Sequence, residues 1–360
     1  MAAGSRIDPR VALAMLLLVY IFNFLDRQIL SILATPIKAE LGLSDTQLGL
    51  LGGVAFAILY TVLSVPSALL ADRTHRSRVI AGSLAIWSGF TALCGAATGF
   101  WHLFAARLGV GIAGLAFAPV FKSLVHDPRH KPRPKRDANA MAVFRILATK
   151  RSFWLISIGA GLNGMVSYAL AFWLPSILIR SFDMTLTSAS YFSGSLVLVG
   201  GSAGVLLGGW LADRSGRADP GYYPKLAGLS WLISAPLFVL GFLSPSASIA
   251  WIILLVPQAL NLVWFGPVVT AVQHLVAPHM RATASACFLL IANLLGLGVG
   301  TWLMGALSDA MSSRYGAESL RYAAIAAVNL ALAASALAFL SIRPLRREWV
   351  DAATQAEEAS

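Results

Sequence analysis

The sequence predicts an all-α, polytopic membrane protein of about ten transmembrane helices, and three observations predict it. Of 360 residues, 58% are hydrophobic and only 12% are charged, about half the charged share of a soluble globular chain. The mean hydropathy is +0.74. The apolar residues fall in continuous runs that can each supply the roughly 20 residues of a spanning helix. They lack the period-2 alternation of a membrane β-barrel strand.

These runs place helices at 11–34, 47–71, 79–98, 101–124, 153–179, 189–212, 226–244, 248–273, 283–307 and 321–342. The first follows Met1–Arg10 without a small-x-small cleavage site and reads as an uncleaved span. The second opens on Ser44-Asp45-Thr46-Gln47, a capping box in which the Ser hydroxyl and the Gln side chain satisfy orphan backbone groups. His126–Lys150 is the longest polar stretch and reads as a cytoplasmic linker, with a short amphipathic helix at Ala140–Thr149. Its basic clusters suit lipid headgroups better than a specific partner. The expected division is therefore 1–124, a four-span bundle; 125–152, the linker; 153–343, a six-span bundle; and 344–360, a tail.

Ten spans put both termini on one side of the membrane. With the N-terminus in the cytoplasm, 21 of the 27 Lys and Arg fall in inner segments. Only Lys38, Arg180, Arg314 and Arg321 are outside, and Arg27 and Arg107 lie within spans. This positive-inside bias predicts a plasma or inner membrane protein with both termini cytoplasmic. It also accounts for most of the net charge of +11, so a nucleic-acid partner is not needed to explain a basic chain.

Enzyme chemistry has little to work with. Cys94 and Cys287 both sit in apolar segments, so neither a disulfide framework nor a zinc ligand set is available. The chain has no GxxxxGK[ST] phosphate loop, no HExxH and no GxSxG elbow. No cofactor or metal is expected.

An internal repeat crosses the linker. Ser67–Arg78 (SALLADRTHRSR) and Gly208–Arg217 (GGWLADRSGR) each close the second span of their half with Leu-Ala-Asp-Arg. Asp72, Arg73, Arg76 and Arg78, and Gly209, Asp213, Arg214, Gly216 and Arg217, are therefore candidates for a loop that braces moving bundles. Positive-inside charge alone would explain one such copy; two at matching points point to duplicated bundles.

Gly209-x-x-x-Asp213-Arg214-x-Gly216-Arg217 resembles the loop signature of the major facilitator superfamily. Further segments resemble its spinster-like branch, the bacterial members above all. These are Asn23-Phe-Leu-Asp26-Arg27-Gln28, Ile37 to Gly49, Ala171-Phe-Trp-Leu-Pro175, Met280-Arg-Ala-Thr-Ala-Ser285, Gly296-Leu-Gly-Val-Gly300 and Gly305-x-x-Ser308-Asp309. The resemblance covers nearly the whole chain. It implies the two-bundle fold of that superfamily and secondary transport of a small organic, amphipathic or lipid-like solute by alternating access, coupled to protons. The implied partners are that solute, membrane lipids and protons; the oligomeric state is left open.

The chain departs from the family in span number, with four before the linker and six after it instead of six and six. Asp72 and Asp213 are 141 residues apart, where intact halves would need about 60 more for two further spans and their loops. The fourth span begins like the family's fourth helix, at Arg107-Leu-Gly-Val-Gly111-Ile112, and ends from about Gly114 like its sixth. The acidic residue expected near Ile112 is absent. A transport-incompetent, internally deleted transporter is therefore the main alternative, ahead of a membrane-embedded enzyme.

Asp26 and Arg27 lie within an apolar helix, where a charge costs about 2.5–3.5 kcal/mol on insertion scales. Asn23 lies one turn earlier and can share their face. The resemblance makes Asp26 the candidate coupling carboxylate and Arg27 its partner or a substrate-anion contact. A static ion pair near the headgroups is the plainer reading. Arg107 has the same standing without its acidic neighbour. In the second half, the uncharged cavity candidates are Asn163, Tyr168, Trp173, Gln258, Asn261 and Gln273. Each alone would also serve as interhelical glue. Gly200-x-x-x-Gly204-x-x-x-Gly208 and Gly296-x-x-x-Gly300 read as close-packing helix surfaces.

Overall fold

The computed structural model describes residues 25, 28–55, 76–113, 140–216 and 219–350. Among them every regular element is a helix. The chain forms two compact units: one of Met1–Leu43 and Leu50–Lys135, the other of Ser44–Gly49 and Arg136–Ser360. The division falls inside the expected linker, and six residues of the expected first bundle pack in the second unit.

In the first unit, α1 (Ala34–Leu41) stops at Gly42, whose φ of 61° lets its N–H reach back to the Lys38 carbonyl, a left-handed helix end that glycine adopts without a Cβ penalty. Ser44 then starts α2 (Asp45–Gly49) with the capping box realised. The Gln47 N–H donates to Ser44 Oγ at 3.1 Å, and the Ser44 N–H donates to Gln47 Oε1 at 2.9 Å. Back in the first unit, the chain continues as a π-helical segment at Leu50–Val54. There too, α3 (Arg76–Gly95) and α4 (Phe100–Ala113) pack closely, because Gly109 has no Cβ to collide with the Phe90 ring. The expected fusion, from about Gly114, lies outside the described residues.

In the second unit the linker helix appears as α5 (Ala140–Ala148), with Val143 and Leu147 buried and Met141 exposed, the amphipathic division its sequence implies. Then comes α6 (Arg151–Ser181), 31 residues or about 46 Å long. It is the axis of the unit, buried along most of its length. One rod follows from α7 (Leu186–Leu196), a π segment at Val197–Gly201 and α8 (Ser202–Ser215). Next are α9 (Tyr222–Phe242), α10 (Ala247–Val263) and α11 (Phe265–Gln273). Thr185 and Ser246 cap α7 and α10 by accepting the N–H groups of Ser188 and Ile249. The last stretch holds α12 (Arg281–Asn293), a π segment at Leu294–Val299 and α13 (Gly300–Tyr315). It turns back at Gly316 (φ 55°) into α14 (Ser319–Val328) and α15 (Leu330–Glu348).

The glycine stripes act as close contacts inside the chain. A Cβ on Gly204 or Gly208 would overlap the α10 backbone at Ala259 or Val263, and one on Gly300 would overlap α6 at Met165. Close backbone approach of this kind replaces the hydrophobic drive that lipid removes. Large apolar side chains such as Leu198, Leu206, Leu240 and Ile252 face outward, as expected where lipid is the solvent. Five stretches among the described residues are long and apolar enough to cross a membrane: Arg151–Ser181, Leu186–Arg214, Tyr222–Phe242, Ala247–Gln273 and Pro278–Glu348. The first, second and fourth expected spans lie in part outside the described residues.

Candidate functional site

Halfway along α6, Asn163 is fully buried and must find partners for its amide, because lipid and packed side chains offer none. Turned so that its oxygen faces the indoles, it accepts from Trp231 Nε1 and Trp264 Nε1, each at 3.1 Å, and donates to Asn261 Oδ1 at 3.1 Å. Asn261 Nδ2 donates to Ser167 Oγ at 2.8 Å, and the Ser167 hydroxyl donates to the Asn163 carbonyl at 3.0 Å. The five side chains join α6, α9, α10 and the residue that links α10 to α11.

Tyr168 is the next residue on α6 and faces away from this closed network. It is 37% exposed, and its hydroxyl donates to Asn293 Oδ1 at 3.0 Å. Asn293 ends α12 where the π segment begins, and π segments recur at functional sites. An exposed phenol joined to a half-buried amide at mid-helix offers an apolar ring and hydrogen-bonding atoms on one surface.

The other candidates are dispersed. Gln258 packs its stem against Gly200, where an added Cβ would lie 3.1 Å from Cγ. Gln273 donates to Ser285 Oγ at 3.0 Å. Trp173 is fully buried and donates its indole N–H to the Thr301 carbonyl at 2.9 Å. Sequence reasoning missed Ser167, Trp231, Trp264 and Asn293. A buried indole in an apolar helix needs an acceptor, and Ser167 is one turn from Asn163; those are the available signals.

In the first unit, Arg107 is only 6% exposed and lines a cavity of about 300 Å³ together with Thr91, Glu40 and the aliphatic Ile29, Leu33 and Leu103. The Thr91 hydroxyl is buried there without a hydrogen-bond partner among the described residues. Asn23, Asp26 and Arg27 lie outside the described residues, as do Asp72, Arg73 and Arg217. Arg76 and Arg78 open α3, with side chains outside the description. Of the repeated loop motif, Asp213 and Arg214 are exposed, and the Arg214 guanidinium sits 5.7 Å over the Trp210 ring. Gly216 admits no Cβ because the Tyr223 ring abuts it, whereas Gly209 has open space. No group of three or more His, Cys, Asp or Glu that would hold a metal occurs among the described residues.

Described residues that are helical in every regular element, with long apolar helices that face outward, define an integral membrane protein. The profile of the Major Facilitator Superfamily matches residues 16–128 and again 123–301, and the chain belongs to that superfamily. It is a membrane transporter rather than an enzyme. It is 28% identical to an MFS-type efflux pump of Mycolicibacterium smegmatis, across 88% of this chain and 89% of that one. It is 27% identical to protein spinster homolog 3 of Danio rerio, across 63% of this chain and 50% of that relative's length. Its fold is similar to the inward-facing, unoccupied crystal structure of a bacterial homolog of the human lysosomal transporter Spinster. There the TM-score is 0.84 at 24% identity, over 97% of this chain and 100% of that one.

Proposed function

We propose that this chain is a secondary active transporter that moves a small amphipathic organic solute by alternating access, with proton movement through Asp26. The observation that carries the reading is the Tyr168–Asn293 pair: an exposed phenol and its amide partner at mid-helix, beside a buried network that holds α6 rigid. Transporter solutes bind near the bilayer midplane, and a ring edge beside an amide suits a solute with both apolar and hydrogen-bonding parts. Arg107 in the first unit supports the same reading, because a buried guanidinium lining a cavity of mixed polar and aliphatic walls suits a solute with an anionic and an apolar part. Glu40 lines the same cavity, and by the sequence reading Asp26 is the carboxylate proposed to carry the proton. The Mycolicibacterium relative is named for efflux, which favours export. The 21 of 27 basic residues in the expected inner segments favour cytoplasmic termini.

The test is solute-linked proton movement. In proteoliposomes loaded with a pH-sensitive dye, adding a transported amphiphile should move protons with the wild-type chain and not with Asp26→Asn. Equal proton movement in the variant would remove Asp26 from the coupling.

A second reading is a transport-incompetent chain with an internal deletion. The alignment to the efflux pump runs to 386 positions while using 88% of this chain. On the order of 70 positions of the relative therefore have no counterpart here, the size of two spans with their loops. The two profile matches meet at 123–128, next to the expected fusion. This reading predicts no saturable flux of any solute.

A further inference from the structure

At one end of the first unit, α1 stops at Leu41, α3 stops at Gly95 and α4 begins at Phe100. The cavity of about 300 Å³ lies among these three helix ends, and Glu40, Cys94 and Leu103 line it, one from each. Exposure orders the lining. Leu103 and Arg107 are 3% and 6% exposed and form the floor, whereas Ile29, Leu33 and Glu40 are exposed and form the mouth. Thr91 stands in the wall with its hydroxyl unspent. A helical Ser or Thr ordinarily returns its hydroxyl to a carbonyl one turn back, as Thr270 does to Gly266 and Ser244 to Leu240, both at 3.0 Å. The Thr91 hydroxyl is buried and makes no hydrogen bond among the described residues, an arrangement that is costly until something in the cavity meets it.

We propose that this cavity binds an aliphatic monocarboxylate of about ten heavy atoms, its head held by Arg107 and Thr91 and its chain laid along Leu103, Leu33 and Ile29. The proposal deepens the transporter reading above, on which it rests for the use of the site but not for its filling. Three features carry it. The volume of about 300 Å³ is the liquid space of about ten waters, at the small end of pockets that take organic ligands. A guanidinium presents five N–H donors in a rigid fork, more than one carboxylate takes up, so Arg107 can hold a ligand's head alongside a partner within the chain. Finally, a charged floor below an apolar mouth suits a ligand that enters head first and leaves its chain among Ile29 and Leu33. The Glu40 carboxylate at that mouth repels a second carboxylate, which selects monoacids over diacids of the same length.

The test uses the full-length chain in nanodiscs with Cys287→Ser, which leaves Cys94, one turn from Thr91 in the cavity wall, as the reporter. Octanoate should slow the reaction of Cys94 with N-ethylmaleimide several-fold and saturably, while octan-1-ol and octanedioate at the same concentration slow it little. Thr91→Val, which keeps the shape of the side chain, should raise the half-protecting concentration about fivefold. Leu103→Trp, which fills the floor, should abolish the protection. Equal protection by octan-1-ol would reduce the cavity to an apolar void and overturn the proposal, as would no protection by octanoate. An unchanged half-protecting concentration in Thr91→Val would contradict the contact assigned to Thr91. Protection is read without flux, so the two failures are distinguishable. An unprotected Cys94 in a chain that carries another solute overturns the site alone, whereas protection without octanoate flux upholds the site and counts against the transporter reading.

Discussion

The Tyr168 hydroxyl donates to Asn293 Oδ1 across 3.0 Å, tying the middle of α6 to the residue at which α12 gives way to a π segment. One residue earlier, Ser167 belongs to the closed network of Asn163 and Asn261. Adjacent positions on one helix therefore separate a buried polar network from an exposed phenol.

Removing the phenol oxygen should test that surface without disturbing the support. Tyr168→Phe is expected to leave insertion and thermal stability near the parent values, because the hydroxyl is partly exposed, while raising the half-saturating solute concentration several-fold. Flux against concentration in proteoliposomes checks it. An unchanged half-saturation would take Tyr168 out of the binding surface.

The support responds differently. Asn163→Leu strands the indole N–H groups of Trp231 and Trp264 and one amide bond of Asn261. Each buried orphan costs about 1–3 kcal/mol, although paired groups in membrane bundles average nearer 0.6 kcal/mol. A clear fall in the melting temperature in detergent is expected, with the shape of the concentration dependence of flux preserved in whatever protein remains folded. A melting temperature equal to the parent's would show that the network stabilises nothing.

The glycine stripe carries a packing prediction. Gly204→Val must push α8 from α10, since an added Cβ already overlaps the Ala259 backbone. Overpacking of this kind costs about 1–3 kcal/mol. Gly209→Val, further along the same helix on its open side, should cost little, because nothing lies near its Cβ. Paired thermal melts of the two variants measure the difference, and equal melts would contradict the close-contact role.

Acid should loosen the loop between α8 and α9. The Arg346 guanidinium bonded to Asp219 holds that carboxyl below the usual carboxylate range, helped by the Gly221 N–H. The sign follows from the depressed value: the tie is fully present above the unfolded carboxylate pKa of about 4 and is lost as pH falls through the lowered one. Hydrogen exchange at Gly221 should stay protected at pH 5 and speed up beyond its intrinsic pH dependence only in stronger acid. In Asp219→Asn the pH-specific step should vanish.

What the sequence makes legible is local. The capping box at Ser44–Gln47, the amphipathic helix at Ala140–Ala148 and the glycine contacts all follow from spacings of three or four residues, and the structure contains each of them. The partners of Asp45 are not legible, because Arg180 and Asp309 are 135 and 264 positions away and nothing in a single sequence pairs them. Asn163 and Tyr168 look alike as polar residues in an apolar helix. Only the placement of Trp231 and Trp264 turns the first into a support and leaves the second open. Trp173 reads as a cavity aromatic by type, yet its indole is spent on the Thr301 carbonyl.

The transporter proposed above should carry solute from one side of the membrane to the other, and counterflow tests that most directly. Proteoliposomes preloaded with unlabelled solute take up a trace of labelled solute with no imposed gradient. The expected result is a transient overshoot that saturates with internal solute and needs the intact chain. Uptake no different from protein-free liposomes, across amphipathic anions and neutral amphiphiles alike, would contradict it.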